Sequence, residues 1–328
     1  MESFVPIEFH RSRDFSKKIN ATFEFLKQNF RPLTKSVLFI AGPPVLMGSL
    51  LLGSFIGDFF NLSQSAYTGE TEAFENYFSS VNFWMQIAFG GLFMLISGVA
   101  SISSINNYII LYGEKKSNKI EVHEVWEKVK QTFFMYLGTM IFFVILFMAV
   151  YIILILPVFL LGAISPFLVG FGVIGVFVGI FYFVFGASLT FFIRNYEKTG
   201  FVSAIRRSFY LVRGKWWSTF GLVMILSLVV STLSYLFLIP WYVVMIANTL
   251  HNTSTDVLQE PSFNWKAITI LFFTLYYLAQ LVLYSIPNIG IALQYFNLVE
   301  LKEAKGLMDD IQSFGESDNS TGSREEHY

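Results

Sequence analysis

The chain has 328 residues, of which 54% are hydrophobic and only 14% are charged, with a net charge of −1. Soluble domains carry roughly 25% charged residues, so this composition excludes an ordinary soluble protein and predicts a membrane protein. The near-zero net charge gives no bulk attraction to nucleic acid. The absence of cysteine excludes disulfides, thiolate catalysis and Cys-ligated metal centres.

Six apolar segments follow one another along the chain, and each is long enough to cross a bilayer, which takes about 20 residues. Between Gln131 and Ile193 there is no Asp, Glu, Lys, Arg or His. That stretch predicts two spans joined by a tight turn between Pro157 and Pro166. The predicted spans are Val37–Phe59, Phe83–Leu111, Thr132–Leu156, Pro166–Ile193, Trp217–Ile239 and Ala267–Phe296.

The basic residues divide the segments outside the spans between two sides of the membrane. Of the 22 Lys and Arg residues, 21 lie in residues 1–36, 112–131, 194–216 and 299–328, and Lys266 alone lies on the other side. We call these ranges the first to fourth basic segments. Because Lys and Arg near a span are retained in the cytoplasm, both termini are predicted to be cytoplasmic. The predicted domains are an N-terminal segment (1–36), a membrane domain (37–298) and a tail (299–328).

Each of the first three basic segments is predicted to form an amphipathic helix, which lies in the interface plane or packs across the ends of the spans. Lys17 and Lys18 are assigned to the charged face of the first helix. The tail is predicted to begin as a short helix that extends to Ile311 and to be disordered from Gly315 onward. The apolar stripes are Phe15, Ile19, Phe23, Leu26 and Phe30; Val122, Trp126, Val129 and Phe133; and Phe201, Ile205, Phe209, Val212 and Trp216.

A unit of amphipathic helix, span, outer loop and span occurs three times in the sequence. The fold class predicted from it is an all-α membrane protein with six transmembrane helices in three pseudo-repeated hairpins. Each hairpin is preceded by a cytoplasmic interfacial helix. Because the three units have the same orientation, their pseudo-axis is expected to run along the membrane normal.

Polar and small residues within the spans have two interpretations. The polar ones form interhelical hydrogen bonds or line a cavity, and the small ones at Ser49, Gly53 and Gly57 allow close packing inside the chain or in a homodimer. Asp58 is placed at the outer end of span one, where it can reach water. The predicted polar cavity is lined by Ser101, Ser104, Asn106, Asn107 and Gln294.

The segment from Ser203 to Trp217 reads SAIRRSFYLVRGKWW, an amphipathic helix that leads through Arg-Gly-Lys-Trp-Trp into a span. It resembles the membrane domain associated with bacterial glycerophosphodiester phosphodiesterases and related uncharacterised six-span bacterial membrane proteins. The resemblance implies a stand-alone membrane domain of the bacterial inner membrane. It does not imply an active phosphodiesterase, because the segments outside the spans are too short for the catalytic barrel.

The sequence is compatible with three functions. The first is a non-enzymatic scaffold or partner subunit, possessing anionic-lipid contacts and acting with another envelope protein or as a homo-oligomer. The second is a transporter or channel for a neutral or lipid-like solute. The third is a lipid-modifying enzyme, which lacks a nucleophile, base or metal cluster, so neither cofactor nor metal is expected. The residues predicted to contact lipid headgroups are Arg206, Arg207, Arg213, Lys215, Trp216 and Trp217.

Overall fold

The computed structural model describes residues 5–67, 71–254, 263–304, 306 and 308, with the backbone alone at 61, 63–67, 71, 73, 247–254 and 263–265. Every regular element in these residues is a helix. The predicted end of the tail helix at Ile311 and the polar stretch from Gly315 lie outside them. The helices are α1 (Phe15–Tyr67), α2 (Thr71–Ser79), α3 (Val81–Lys115), α4 (Val122–Ile164), α5 (Pro166–Gly186), α6 (Thr190–Tyr196), α7 (Phe201–Val212), α8 (Trp216–Tyr235), α9 (Ile239–Ser254), α10 (Phe263–Leu283) and α11 (Ser285–Glu303).

Six helical stretches in the described residues are long and apolar enough to cross a membrane, which is the number predicted. The turn between the third and fourth of them lies in the predicted interval and is one residue long. Ser165 forms it, and its Oγ accepts a hydrogen bond from the Phe167 N–H at 3.3 Å. The six stretches are Phe15–Phe60, Val81–Lys115, Val122–Ile164, Pro166–Tyr196, Trp216–Tyr235 and Lys266–Glu303.

The chain divides into two compact units. Unit one comprises Met1–Lys27, Phe142–Val223 and Ile289–Tyr328, and unit two comprises Gln28–Ile141 and Met224–Asn288.

The prediction of separate interfacial helices is wrong for the first two basic segments. α1 and α4 each run without a break from the basic segment into the span. Only α7 is separate, because the chain turns at Gly214 (φ +83°), a backbone conformation that a glycine adopts without strain. The first two segments contain no such glycine at the junction, and Pro32 lies within α1 without ending it.

The buried faces of the three amphipathic stretches coincide only in part with the predicted apolar stripes, of which Val129 and Val212 are buried. In the first, Phe15, Phe23 and Phe30 are exposed, whereas Lys18 and Phe25 are buried. The physical reason is that lipid is as apolar as a large side chain. Nothing therefore drives the bulky stripe inward, and small or polar residues pack between helices instead. The buried positions are Lys18, Ala21, Thr22, Phe25 and Asn29; Val125, Val129 and Tyr136; and Ala204, Ser208, Leu211 and Val212.

In unit two, the small residues of span one pack against α10. Ser49 Oγ donates a hydrogen bond to Thr274 Oγ1 at 3.2 Å. A Cβ placed on Gly53 would lie 3.1 Å from the Ile270 Cα, and one on Gly57 would lie 3.4 Å from the Lys266 Cγ. The contacts step by four residues in opposite directions on the two helices, so these helices run antiparallel here. Of the two interpretations of this stripe, packing inside the chain is therefore confirmed.

In unit one, span four is broken between α5 and α6, where the sequence predicts continuity. The Ser208 hydroxyl of α7 bridges the break: it donates to the Gly186 carbonyl at 2.6 Å and accepts from the Leu189 N–H at 3.3 Å. The Phe209 ring occupies the space that a side chain at position 186 would fill. Gly186 thus allows α7 to pack against the broken span.

A second break separates α10 from α11 at Tyr284, three residues before Pro287. Proline lacks the N–H that a helix needs, and its ring crowds the carbonyl one turn earlier. Asn288 Nδ2 donates to the Tyr284 carbonyl at 2.8 Å and so supplies a side-chain partner beside the break. The break in span six therefore lies where Pro287 removes a helical hydrogen bond.

Candidate lipid-contact site and polar networks

The third basic segment presents cations to the exterior of unit one. Arg206, Arg213 and Lys215 are exposed, and none has a carboxylate partner among the described residues. The adjoining Trp217 has 76% of its surface exposed. These four of the six predicted headgroup residues therefore lie on accessible surface with their charges or rings available.

Arg207 is engaged inside the protein instead. Its guanidinium forms a bidentate ion pair with Glu303, in which Nη2 lies 2.9 Å from the carboxylate, and its Nε donates to Glu197 Oε1 at 3.1 Å. Tyr295 also donates to Glu197 Oε1 at 2.7 Å. The hydrogen bond to Glu303 holds the pKa of Arg207 above its ordinary value. Arg207 thus joins α6, α7 and α11, and its charge is neutralised.

Trp216 packs inward, unlike its neighbour Trp217. Its ring stacks on Phe220 with centroids 5.2 Å apart and on Tyr182 at 6.1 Å. Its Nε1–H points to the Tyr182 carbonyl at 3.4 Å. Trp216 therefore fixes the start of α8 against α5, and Trp217 remains as the aromatic candidate for the headgroup region.

Lys302 holds the end of α7. Its ammonium donates to the carbonyls of Tyr210 and Arg213, the latter at 3.0 Å, and lies 4.6 Å from the centroid of the Tyr210 ring. The last carbonyls of a helix lack partners within the helix and carry partial negative charge, which a lysine satisfies. α11 thereby positions the turn that presents Arg213 and Lys215.

Lys18 is buried, which corrects its assignment to the charged face of the first helix. Only 3% of its surface is exposed. Its Nζ donates to Ser218 Oγ at 2.7 Å and to Gln294 Oε1 at 2.9 Å, and Gln294 Nε2 donates to Thr219 Oγ1 at 2.9 Å. The ammonium is thus held by neutral acceptors.

The predicted cavity residues of α3 are buried in unit two. Asn107 Nδ2 donates to Thr132 Oγ1 at 2.8 Å and to Ser103 Oγ at 3.2 Å, and Ser104 Oγ donates to the Ala100 carbonyl at 2.7 Å. Asn106 is also buried, and Ser101 Oγ is buried without a hydrogen-bond partner in the described part of the chain. Gln294 belongs to unit one, where its amide accepts from Lys18 and donates to Thr219. A cavity shared by these residues remains a prediction.

A second polar network in unit two joins the end of span one at Asp58 to the start of span six at Lys266. Lys266 Nζ lies 2.7 Å from Asp58 Oδ1, and Gln86 Nε2 donates to Asp58 Oδ2 at 2.9 Å. Tyr77 donates to Gln86 Oε1 at 3.0 Å; burial, followed by the charge of Asp58, raises the pKa of Tyr77 to about 12. Only 17% of the Asp58 side chain is exposed. Lys266, the one Lys or Arg outside the four basic segments, thus neutralises Asp58, the one carboxylate in the predicted spans.

Lys266→Met is expected to destabilise the protein more than Asp58→Asn. The methionine leaves a largely buried carboxylate with Gln86 alone, at a cost of roughly 1–3 kcal/mol, whereas asparagine keeps an acceptor for Lys266, whose side chain reaches water. Denaturant titration in detergent, followed by tryptophan fluorescence, measures both variants. The double variant Asp58→Asn, Lys266→Met should recover most of the stability that Lys266→Met loses. A loss of stability equal to the sum of the two single variants would show that the two side chains do not interact.

In the part of the chain that the structure describes, no group of three or more His, Asp or Glu side chains is placed to hold a metal ion.

Comparisons with protein-family models, with curated proteins and with solved structures gave no match to this chain. The family resemblance of residues 203–217 therefore stays a prediction. The roles of Lys18, Glu197 and Glu303 were missed in the sequence because each of them has a partner that lies far away along the chain. The available signal for Lys18 was its spacing: it lies three positions after the first residue of its apolar stripe, as Val125 and Ala204 do in the other two stretches.

Proposed function

We propose that the protein is a non-enzymatic scaffold or partner subunit of the bacterial cytoplasmic membrane, which binds anionic lipid headgroups through its third basic segment. The supporting observation is that Arg206, Arg213 and Lys215 are exposed cations without carboxylate partners in the described residues, beside an exposed Trp217. Each such cation near an anionic leaflet contributes about 1 kcal/mol. Indole rings favour the headgroup level, so the four side chains suit one surface.

We further propose the threefold repeat and the cytoplasmic location of both termini. The buried faces of the three amphipathic stretches support the repeat, because Lys18, Val125 and Ala204 each follow the first stripe residue by three positions and are all buried. The non-glycine residues of positive φ in the described chain are Lys116, Lys198 and Ala304, and each follows an even-numbered span. The partition of basic residues supports the orientation.

The transporter alternative receives less support from the polar groups in the spans. The amides of Asn107, Gln294 and Gln86 are hydrogen-bonded to protein groups, and Asp58 is paired with Lys266. Groups used in this way hold helices together. A scaffold needs such packing, whereas a solute pathway needs polar groups that a solute can reach.

Lipid binding to the triple variant Arg206→Gln, Arg213→Gln, Lys215→Gln tests this proposal. Native mass spectrometry of the purified protein, titrated with phosphatidylglycerol in detergent, gives the apparent affinity. We expect a loss on the order of 100-fold, as three headgroup cations contribute about 3 kcal/mol in total. A charge-preserving variant, in which the arginines become lysines and Lys215 becomes arginine, should bind like the native protein. Unchanged affinity in the triple variant would refute the proposal.

A further inference from the structure

A groove of about 630 Å³ lies in unit two between α1 and the residues that precede α4. Its walls combine charge and apolar surface, which distinguishes it from a plain hydrophobic face. Arg31 and Lys35 stand one helical turn apart on α1, and Glu121 belongs to the other wall. The apolar part includes Leu38 and Phe39, and 70% of the Phe39 surface is exposed.

The charged groups in this groove are available to a ligand. Arg31, Lys35 and Glu121 are exposed, and none of these side chains has an ion-pair partner among the residues described. Arg31 and Lys35 carry charges of the same sign, so neither can neutralise the other. The groove therefore offers two neighbouring positive charges and one negative charge on the opposite wall.

The order of residues along α1 matches the order of parts in a phospholipid. Arg31 and Lys35 precede the predicted start of the hydrocarbon crossing at Val37, and Leu38 and Phe39 follow it. A phosphate at the two cations would lie at headgroup level, with an acyl chain along the two apolar side chains. Glu121 belongs to the second basic segment, which is predicted to lie on the headgroup side, and its carboxylate would oppose a purely anionic headgroup.

We propose that this groove binds one aminophospholipid of the phosphatidylethanolamine type. The phosphate is held by Arg31 and Lys35, the ammonium by Glu121, and an acyl chain by Leu38 and Phe39. The charge pattern of two cations and one carboxylate complements the phosphate and ammonium of this lipid better than it complements phosphatidylglycerol, which has no cation for Glu121. This site extends the proposed lipid-binding role and uses residues separate from Arg206, Arg213 and Lys215.

Native mass spectrometry of the full chain in detergent, with phosphatidylethanolamine, phosphatidylglycerol and phosphatidylcholine of identical acyl chains, tests the proposal. We expect one phosphatidylethanolamine to bind more tightly than phosphatidylglycerol. The double variant Arg31→Gln, Lys35→Gln should lose this binding by tenfold or more, since two headgroup cations are removed. Glu121→Gln should abolish the preference for phosphatidylethanolamine and raise the affinity for phosphatidylglycerol.

The triple variant of the third basic segment is the matched control, because it removes cations elsewhere and should leave phosphatidylethanolamine binding unchanged. If it instead removes that binding while the Arg31, Lys35 variant does not, the groove is not the site. Because the substituted side chains are exposed, all variants should keep the native circular dichroism. Thr34→Trp, which fills the groove and keeps its charges, should also weaken binding; native affinity in this variant would overturn the proposal.

Discussion

Replacing Arg207 with methionine is expected to lower the free energy of unfolding by about 3 kcal/mol. The substitution removes the cation shared by Glu197 and Glu303 and leaves two carboxylates facing each other, with side chains only 20% and 22% exposed. Breaking a buried ion pair by removing one partner costs 3–5 kcal/mol, and the residual exposure places this site near the lower limit. Denaturant titration in detergent, followed by the fluorescence of the six tryptophans, measures the loss.

Arg206→Met provides the control for that experiment. Arg206 precedes Arg207 on the same helix, is exposed and pairs with no carboxylate in the described chain, so its substitution should change the stability by less than about 0.5 kcal/mol. Arg207→Lys should give an intermediate loss, because an ammonium keeps the charge but not the bidentate geometry. Equal effects of methionine at 206 and 207 would contradict the role given to Arg207.

Gln294→Leu is expected to destabilise the protein by about 3 kcal/mol, whereas Lys18→Met should cost little. Leucine removes the amide that accepts from the buried ammonium and donates to Thr219, so a cation is left with Ser218 alone. Removing the cation itself relieves the cost of burying a charge. The same denaturant titration compares the two variants.

The double variant Lys18→Met, Gln294→Leu should regain much of the stability that Gln294→Leu loses, because no charge remains to be satisfied. Lys17→Met is the matched control, since 73% of the Lys17 side chain is exposed and its ion pair with Asp14 lies at the surface. A loss on Lys18→Met as large as that of Gln294→Leu would mean that the ammonium itself stabilises the fold.

The number of spans could be predicted from the sequence because hydropathy and the distribution of Lys and Arg act over whole segments. The face of each amphipathic stretch that packs against the protein could be predicted only in part, because Val129 and Val212 of the apolar stripes are buried whereas the phenylalanines of the first stripe are exposed. An apolar stripe turns inward in water, but Phe15, Phe23 and Phe30 gain nothing by doing so in lipid. Local periodicity thus located the helices but assigned Lys18 to the charged face, although Lys18 is buried.

Contacts between distant residues explain the remaining differences. Arg207 has the same local sequence character as Arg206, and only the fold brings it to Glu303. The break in span four depends on Ser208 of a later helix, and no proline marks it in the sequence. Of the predicted headgroup set, Arg206, Arg213, Lys215 and Trp217 are exposed, whereas Arg207 and Trp216 serve the packing of unit one.

The antiparallel contact between α1 and α10 restricts where this chain can change in length. Ser49, Gly53 and Gly57 meet Thr274, Ile270 and Lys266 in steps of about one turn. A single-residue insertion within either stretch would rotate everything beyond it by about 100° and place bulky side chains where the two backbones approach each other. Natural variants of this protein should therefore gain or lose residues outside these two stretches.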